Sequence, residues 1–272
     1  MQALKHMDDA VKITRPKVRV RAFRAIDEPE TCMAFVQGHA DVLTSIGIKK
    51  VTSSKHEWTA NPAVFVIVVE ALDGSRVFGG ARVHVAGGTE YLPIEQAISK
   101  LDPTINELVW QYAQTGSGEI CGLWNSKDMA GYGLGTPILI RSGIAIASQL
   151  GIQTLFALCA PYTVQPVVNC GMELVDKVGN KGTFYYPKLD LIATAMVLND
   201  LLELSKANAD ARGEILKMRA DPDGFKLVDY KKDIDIDFKL KVPNLDKWNL
   251  NEIIDSAYQL FLESQSKKAV TY

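Results

Sequence analysis

Two side chains and one glycine-rich loop near the middle of the chain could take part in a chemical reaction. Glu119 could accept a proton, directly or through water, and Arg82 could hold a carboxylate through two parallel hydrogen bonds. The loop carries three glycines at alternate positions just before Thr136. Glycines let the backbone approach a ligand closely, and the unpaired N–H groups at a helix start attract an anion. The loop therefore predicts a phosphate-binding site.

Two common nucleotide-binding motifs do not fit this loop. A P-loop ends in Gly-Lys followed by Ser or Thr, whereas Gly135 is followed by Thr136 and Pro137. A Rossmann loop is followed by a strand that ends near an acidic residue, whereas the next apolar segment here ends in Cys159 and Ala160. A glycine-rich turn that binds no ligand remains the alternative to a phosphate site.

Hydrophobic periodicity and turn residues predict the elements that position these groups. Apolar or alternating runs predict strands over residues 18–26, 64–70, 76–85, 119–125, 154–160, 172–178 and 234–242. Helical spacing and capping residues predict helices over residues 29–46, two short ones within 92–114, and others over 136–150, 164–170, 191–204 and from about 250 onwards. Asp73-Gly74 predicts one hairpin turn, and a second hairpin is predicted through Gly182.

Alternation along the strands predicts which of these side chains meet. One face of the fourth strand should carry Glu119, Cys121, Leu123 and Asn125. Arg82 and His84 share a face of the preceding strand, so antiparallel pairing would bring one of them near Glu119. Two plainer interpretations stay open: Glu119 as a solvated carboxylate at a strand end, and Arg82 as the structural partner of an acid.

The order of elements from about residue 18 to residue 187 resembles the GNAT superfamily of N-acyltransferases. Gly79-Gly80-Ala81-Arg82 resembles the G-x-x-R on the third strand of its acyl-homoserine-lactone synthase branch. Glu119 resembles the acidic residue of that branch on the fourth strand, and Gly171-Met172 stands where most members have Gly-Phe. The sibling group of N-acyl amino acid synthases, which shares the fold, is similar too.

The resemblance implies an α+β fold with a mixed, mostly antiparallel sheet flanked by helices. Residues 1–190 would form the GNAT-like acyltransferase domain, and residues 191–272 a C-terminal α/β extension packed on it. It implies a reaction that moves an acyl group, of medium or long chain length in the nearer branches, from acyl-CoA or acyl carrier protein to the amine of a small acceptor. An amino acid is one candidate acceptor.

The resemblance also implies roles for particular residues. The loop would cradle the pyrophosphate of the acyl carrier through Gly131, Gly133, Leu134, Gly135 and Thr136. Backbone N–H groups near Leu123 and Trp124 would hold the thioester carbonyl. Glu119 would handle the proton of the amine, and Arg82 would lie on the acceptor side of the cleft. Because the acyl carrier is a co-substrate, neither a permanently bound cofactor nor a metal is expected.

Two departures from the family pattern keep a second function class open. Ala130 stands where the loop usually has a basic residue, and Val167 stands where many members have a tyrosine that protonates the leaving thiolate. Tyr162 is the nearby candidate for that role. A non-catalytic binder or sensor of acyl thioesters on the same fold is therefore the alternative to an enzyme.

The composition of the chain sets the remaining expectations. Its 272 residues are 47% hydrophobic and 23% charged, and a net charge of −2 gives no reason to expect nucleic acid as a partner. The four cysteines lack C-x-x-C spacing, so neither a disulfide framework nor a structural zinc site is expected. No apolar run approaches the roughly 20 residues that cross a bilayer, and acids near the N-terminus predict a cytoplasmic protein.

Overall fold

The computed structural model describes residues 16–48, 56–129, 131–132, 134–229 and 234–269. Within these residues the strands are β1 (Lys17–Arg24), β2 (Val64–Ala71), β3 (Val77–Val85), β4 (Ser117–Asn125), β5 (Thr154–Cys159), β6 (Glu173–Leu174), β7 (Thr183–Tyr185), β8 (Ile192–Leu198), β9 (Lys226–Asp229) and β10 (Ile234–Lys239). The helices are α1 (Pro29–Ser45), α2 (Pro93–Ile98), α3 (Thr104–Ala113), α4 (Thr136–Ala147), α5 (Pro161–Asn169), α6 (Ala209–Ala220) and α7 (Leu250–Ala269). In the described part of the chain, no helix combines the length and apolar character needed to cross a membrane.

These strands join one mixed sheet. Its order is β6-β8-β5-β4-β3-β2-β1-β10-β9, and β7 also pairs with β8. The pairs β4–β5 and β1–β10 are parallel, whereas the other neighbouring pairs are antiparallel. The predicted mixed, mostly antiparallel sheet flanked by helices is confirmed.

Helices cover both faces of the sheet, and β2 shows the consequence for sequence. Val66 and Val68 belong to the apolar cluster that contains Phe35 of α1, on one face of the sheet. Phe65 and Ile67 belong to the cluster that α4 supplies on the other face. A strand buried on both faces reads as a continuous apolar run, which is how β2 was recognisable.

The helix predicted over residues 191–204 is wrong, because residues 192–198 form the strand β8. β5 offers an edge whose N–H and C=O groups need partners, and β8 fills it from Leu155↔Leu198 to Cys159↔Thr194. Pairing with this distant strand outweighs the local helix propensity of the Ala, Leu and Met residues in the segment.

The two predicted hairpins have different outcomes. Asp73 and Gly74 do form the tight turn between β2 and β3, with the Gly74 N–H donating to the Ala71 carbonyl at 2.9 Å. The hairpin through Gly182 is wrong in its pairing, because β6 and β7 each pair with β8.

Strands that precede residue 190 in the sequence and strands that follow it belong to the same sheet. β8 lies beside β5, and β10 runs parallel to β1. α7 packs on α3, where the rings of Trp110 and Phe261 stack with centroids 5.6 Å apart. The division into a domain of residues 1–190 and an extension of residues 191–272 stays a prediction.

Candidate active site

The parallel strands β4 and β5 separate soon after they meet. Their pairing ends at Glu119↔Phe156, although β4 continues to Asn125 and β5 to Cys159. A cavity of about 570 Å³ lies at this separation and is lined by both strands. Glu119 therefore marks the point at which a bound molecule would reach the centre of the sheet.

The wall of this cavity is largely apolar and carries a few ionisable groups. Its apolar residues include Leu43, Ile46, Ile120, Leu123, Ile140, Ala157, Leu158, Val167 and Ala193. Its ionisable residues include Glu119, His39, Tyr162, Lys188 and Asp190. A concave site of this kind suits an apolar chain, with polar recognition confined to a few positions.

A β-bulge in β4 changes which side chains face the cavity. The pairing of β3 with β4 passes from Arg82↔Cys121 to Gly80↔Trp124, so two residues of β4 lie opposite Ala81 alone. Those two residues are Gly122, whose φ of +61° lies in the left-handed region, and Leu123. The predicted alternation is therefore wrong beyond Cys121.

Because of the bulge, the side chains of Leu123 and Trp124 lie in different surroundings. Leu123 lines the cavity, as its predicted place at the thioester requires. Trp124 instead lies under α1, where its ring is 5.7 Å from that of Phe35 and meets the backbone of Gly38. The glycine at position 38 is needed there, since a Cβ would come within 2.1 Å of the indole. A role for the backbone N–H groups near Leu123 and Trp124 stays a prediction.

Glu119 is buried, which excludes the interpretation as a solvated carboxylate. Its side chain is 2% exposed, and its Oε2 accepts a hydrogen bond from the Ile94 N–H at 2.7 Å. Burial raises the pKa of this carboxyl to about 8, while the Ile94 hydrogen bond and the charge of Arg82 oppose the shift. A carboxyl with such a pKa can take up and release a proton near neutral pH.

Arg82 lies behind the cavity wall rather than on it. It is 1% exposed, and its guanidinium carbon stands 4.2 Å from the centre of the Trp58 ring. At this depth its predicted bidentate contact with an acceptor carboxylate would need the site to open. Its positive charge does act on the site, because it lowers the pKa of Glu119, His39 and His84.

His39 is a wall residue that sequence reasoning missed. It is 4% exposed on α1, and burial together with the charge of Arg82 lowers its pKa to about 4, so the ring is neutral at pH 7. Its spacing from Cys32 and Phe35 places it on the buried face of the helix. A histidine on an apolar helical face was the available signal.

The cysteines near the cavity are protonated thiols. Burial raises the pKa of Cys121 to about 12 and that of Cys159 to about 11. Since the thiolate is the nucleophile, neither group is activated for covalent chemistry. Across the described residues, no group of three or more His, Cys, Asp or Glu side chains is placed to hold a metal ion.

The glycine loop leads directly into α4. Gly135 is the N-cap of the helix and has no side chain to cap the N–H groups of Thr136 and Ile138, the residues on either side of Pro137, which has none. Leu134 is fully buried. A Cβ added at Gly131 or Gly135 would meet no atom within 4 Å, so the backbone there is open. Thr136 is the first helical residue. Gly133 and Ala130 lie outside the described residues.

Tyr162 lies at the start of α5, on the cavity wall, and is 74% exposed. Val167 is buried one and a half turns further along the same helix and also lines the cavity. The hydroxyl of Tyr162 is therefore available at the mouth of the site, as a candidate acid must be. Its role as a proton donor stays a prediction.

The chain has the fold of the GNAT N-acyltransferases, as predicted. FeeM, an N-acyl amino acid synthase from uncultured soil microbes, has this fold, with a TM-score of 0.53 and 14% identity over 73% of this chain and 98% of its own.

Two further solved structures resemble the chain more weakly. BjaI, a CoA-dependent acyl-homoserine lactone synthase solved with SAM and isopentyl-CoA, has a TM-score of 0.46 and 12% identity over 89% of this chain and 99% of its own. A spermidine N-acetyltransferase from Vibrio cholerae has a TM-score of 0.42 and 12% identity over 70% and 98%. No protein-family model and no curated protein matches the chain.

Proposed function

We propose that the protein is an N-acyltransferase that moves an acyl group from acyl-CoA, or from acyl carrier protein, to the amine of a small acceptor. The observation that carries this proposal is the place of Glu119. A buried carboxyl with a pKa of about 8 lies where β4 and β5 part, on the wall of a largely apolar cavity. This arrangement would bring a base and a bound apolar chain to the same point.

The proposed reaction needs a base, a group that stabilises the negative oxygen and an acid, and we assign a candidate group to each. Glu119 takes a proton from the amine, whose nitrogen then attacks the thioester carbonyl. Backbone N–H groups near Leu123 and Trp124 stabilise the negative oxygen while the new C–N bond forms. The C–S bond breaks, and the leaving thiolate takes a proton from Tyr162 or from water. Arg82 acts indirectly, by keeping Glu119 ionisable.

The acyl carrier would bind across the start of α4. The open backbone at Gly131 and Gly135 and the N–H groups of Thr136 and Ile138 at the start of the helix suit the phosphate groups of CoA. The acyl chain would follow Leu123 into the apolar cavity. An acceptor that carries a carboxylate, such as an amino acid, would find a positive charge in Lys188, whose Nζ donates to the Gly47 carbonyl at 3.1 Å on the wall.

We expect Gly135→Asp to weaken binding of acyl-CoA about ten-fold or more, because a carboxylate at the N-cap would occupy the helix N–H groups and repel phosphate. The fold should survive, since aspartate is a good N-cap and a Cβ fits at this position. Calorimetric titration with acyl-CoA measures the effect.

Gly213→Asp is the matched control for that variant. It makes the same change of charge on α6, where a Cβ also meets no atom within 4 Å, and should leave acyl-CoA affinity unchanged. If Gly135→Asp folds and binds acyl-CoA as the wild-type protein does, the carrier site is elsewhere.

We expect Cys121→Ala to keep turnover within about three-fold of the wild-type value, since a thiol with a pKa of about 12 cannot carry the acyl group at neutral pH. Rapid quenching of the wild-type protein with acyl-CoA, followed by intact mass measurement, should show no covalent acyl adduct. An adduct that disappears in Cys121→Ala would replace direct transfer with a relay through the thiol.

A non-catalytic acyl-thioester binder on the same fold is the second candidate, and the buried Val167 at the usual position of the acid favours it. Supplying acyl-CoA donors of several chain lengths with mixed amines separates the two functions. Release of free thiol that depends on the amine supports the enzyme. Saturable binding of acyl-CoA without thiol release supports the binder and overturns the proposed reaction.

A further inference from the structure

His84 lies directly opposite Glu119 in the sheet. The two residues are cross-strand partners of β3 and β4, so their side chains leave the sheet on the same face. His84 is 1% exposed, and burial together with the charge of Arg82 lowers its pKa to about 3. The ring is therefore neutral, with one nitrogen as donor and the other as acceptor.

Asn61 determines which nitrogen of His84 carries the hydrogen. The Oδ1 of Asn61 accepts hydrogen bonds from the Ala63 N–H at 2.9 Å and the Thr89 N–H at 3.4 Å, which fixes the orientation of the amide. Its Nδ2 must then donate to the Nε2 of His84, 3.0 Å away. Nε2 is the acceptor, so Nδ1 carries the hydrogen.

The Nδ1 hydrogen of His84 is a buried donor that lacks a partner among the described residues. Most buried polar groups in native structures have a hydrogen-bond partner. Glu119 uses one carboxylate oxygen for the Ile94 N–H, and within the described part of the chain no donor is seen on its second oxygen. When Glu119, the residue opposite, loses its proton, its carboxylate becomes an acceptor that the Nδ1–H of His84 could bond to.

We propose that His84 is a positioning residue whose Nδ1–H donates a hydrogen bond to Glu119 when that carboxylate is ionised. The contact stabilises the form of Glu119 that accepts the proton of the amine, so the inference rests on the proposed function. The hydrogen bond forms when Glu119 turns its second oxygen towards β3. Asn61 holds the imidazole of His84 in the Nδ1–H tautomer, which is the one that can donate this hydrogen bond.

The other groups around Glu119 do not supply this contact. α2 contributes the Ile94 N–H and the carboxyl of Glu95, which raises the pKa of Glu119. β3 contributes the charge of Arg82, which lowers it. The neighbouring thiols and imidazole, which are Cys121 on β4, Cys159 on β5 and His39 on α1, are neutral at pH 7.

Two substitutions of His84 separate its donor from its acceptor. In His84→Gln the amide oxygen can take the place of Nε2 towards Asn61, but no donor remains at the position of Nδ1. In His84→Asn the amide nitrogen takes the place of Nδ1, and the contact with Asn61 is lost. Titration of the Glu119 side-chain carbon by NMR, assigned with Glu119→Gln, reports the ionisation without any need for turnover.

His84→Gln should raise the titration midpoint of Glu119 by about one to two units, the equivalent of one hydrogen bond to a charged group. His84→Asn should leave the midpoint within about half a unit of the wild-type value. The pH dependence of kcat/KM should shift by the same amount as the midpoint. Unchanged midpoints in both variants, or equal shifts in both, would overturn the role of the donor.

A measurement on the unsubstituted ring covers the case in which the variants do not fold. Nitrogen-labelled histidine should show the Nδ1–H tautomer of His84, with a proton resonance that moves at the midpoint of Glu119 in the wild-type protein and stays still in Glu119→Gln. An Nε2–H tautomer or a pH-independent resonance in the wild-type protein contradicts the inference. Because these readouts need no turnover, an absence of acyl transfer would overturn the proposed function separately.

Discussion

Replacing Glu119 with glutamine is expected to lower kcat/KM for acylation of the amine by about 10²–10⁴-fold, the usual contribution of general-base catalysis. Glutamine keeps an oxygen that can accept the Ile94 hydrogen bond, so the geometry at the start of α2 should persist. What is lost is the group that takes the proton. Steady-state release of thiol with saturating acyl-CoA and varied amine measures the change.

The pH dependence of the wild-type reaction should identify the same group. Glu119 is a base only when ionised, and burial raises its pKa to about 8, so kcat/KM should rise with pH through about 8 and then level off. The pH midpoint of this rise should be the same for acceptors whose amine pKa values differ. In Glu119→Gln the rise should be absent.

Glu95→Gln is the matched control for Glu119→Gln. Burial also raises the pKa of Glu95 to about 8, and its Oε2 accepts a backbone hydrogen bond from the Leu92 N–H. Glu95 lies beside α3 and α7, however, and does not line the cavity between β4 and β5. Turnover within a few-fold of wild type is expected in this variant. Full activity in Glu119→Gln, or equal losses in the two variants, would remove Glu119 from the mechanism.

Stability gives both variants a common readout. The folded-state pKa of each acid lies above its ordinary value near 4.5, so the folded protein binds the proton more tightly than the unfolded chain. Their contribution to stability is therefore full below about pH 4.5 and is lost as the pH rises towards 8. Each substitution should flatten this fall in the free energy of unfolding, whereas only Glu119→Gln should lower the rate by about 10²-fold or more.

Local signals in the sequence were enough to predict the start of α4 and most of the sheet. The continuous apolar run of β2, the Asp73-Gly74 turn and the proline at the start of α4 each act within a few residues, and each is confirmed. β8 depended instead on the open edge of β5, about forty residues away in sequence, which no local pattern reveals. Distant pairing is the reason that a strand was predicted as a helix.

The site was predictable in its residue types but not in its depth. The sequence indicates Glu119, but it shows neither the burial of this side chain nor the hydrogen bond that it accepts from the Ile94 N–H of α2. Arg82 was placed at the acceptor, although packing against Trp58 holds it behind the wall. The bulge had a visible signal in Gly122, since a glycine inside a strand often marks one. Strict alternation overlooked it.

If the proposed function holds, the cavity also predicts a selectivity among acyl donors. Ala157 follows directly after the last residue of β5 that pairs with β4, and it lies on the cavity wall. Ala157→Leu adds three carbons to the space that the acyl chain would fill. Donors long enough to pass this point should lose the burial of about three methylene groups, roughly 2.4 kcal/mol or about 50-fold in kcat/KM.

A short donor such as acetyl-CoA should be affected little by Ala157→Leu, so the ratio of long-chain to short-chain kcat/KM is the quantity to measure. Ala97→Leu is the control, because it makes the same change at a half-buried position of α2 away from the cavity wall. Its ratio should match the wild-type ratio. Because Ala157 lines the cavity, we expect the added carbons of Ala157→Leu to extend into it, and the melting temperature should not fall as it does when a full core is overpacked. An equal loss with donors of every length would place the acyl chain elsewhere, since a block on the chain's path must spare the chains that never reach it.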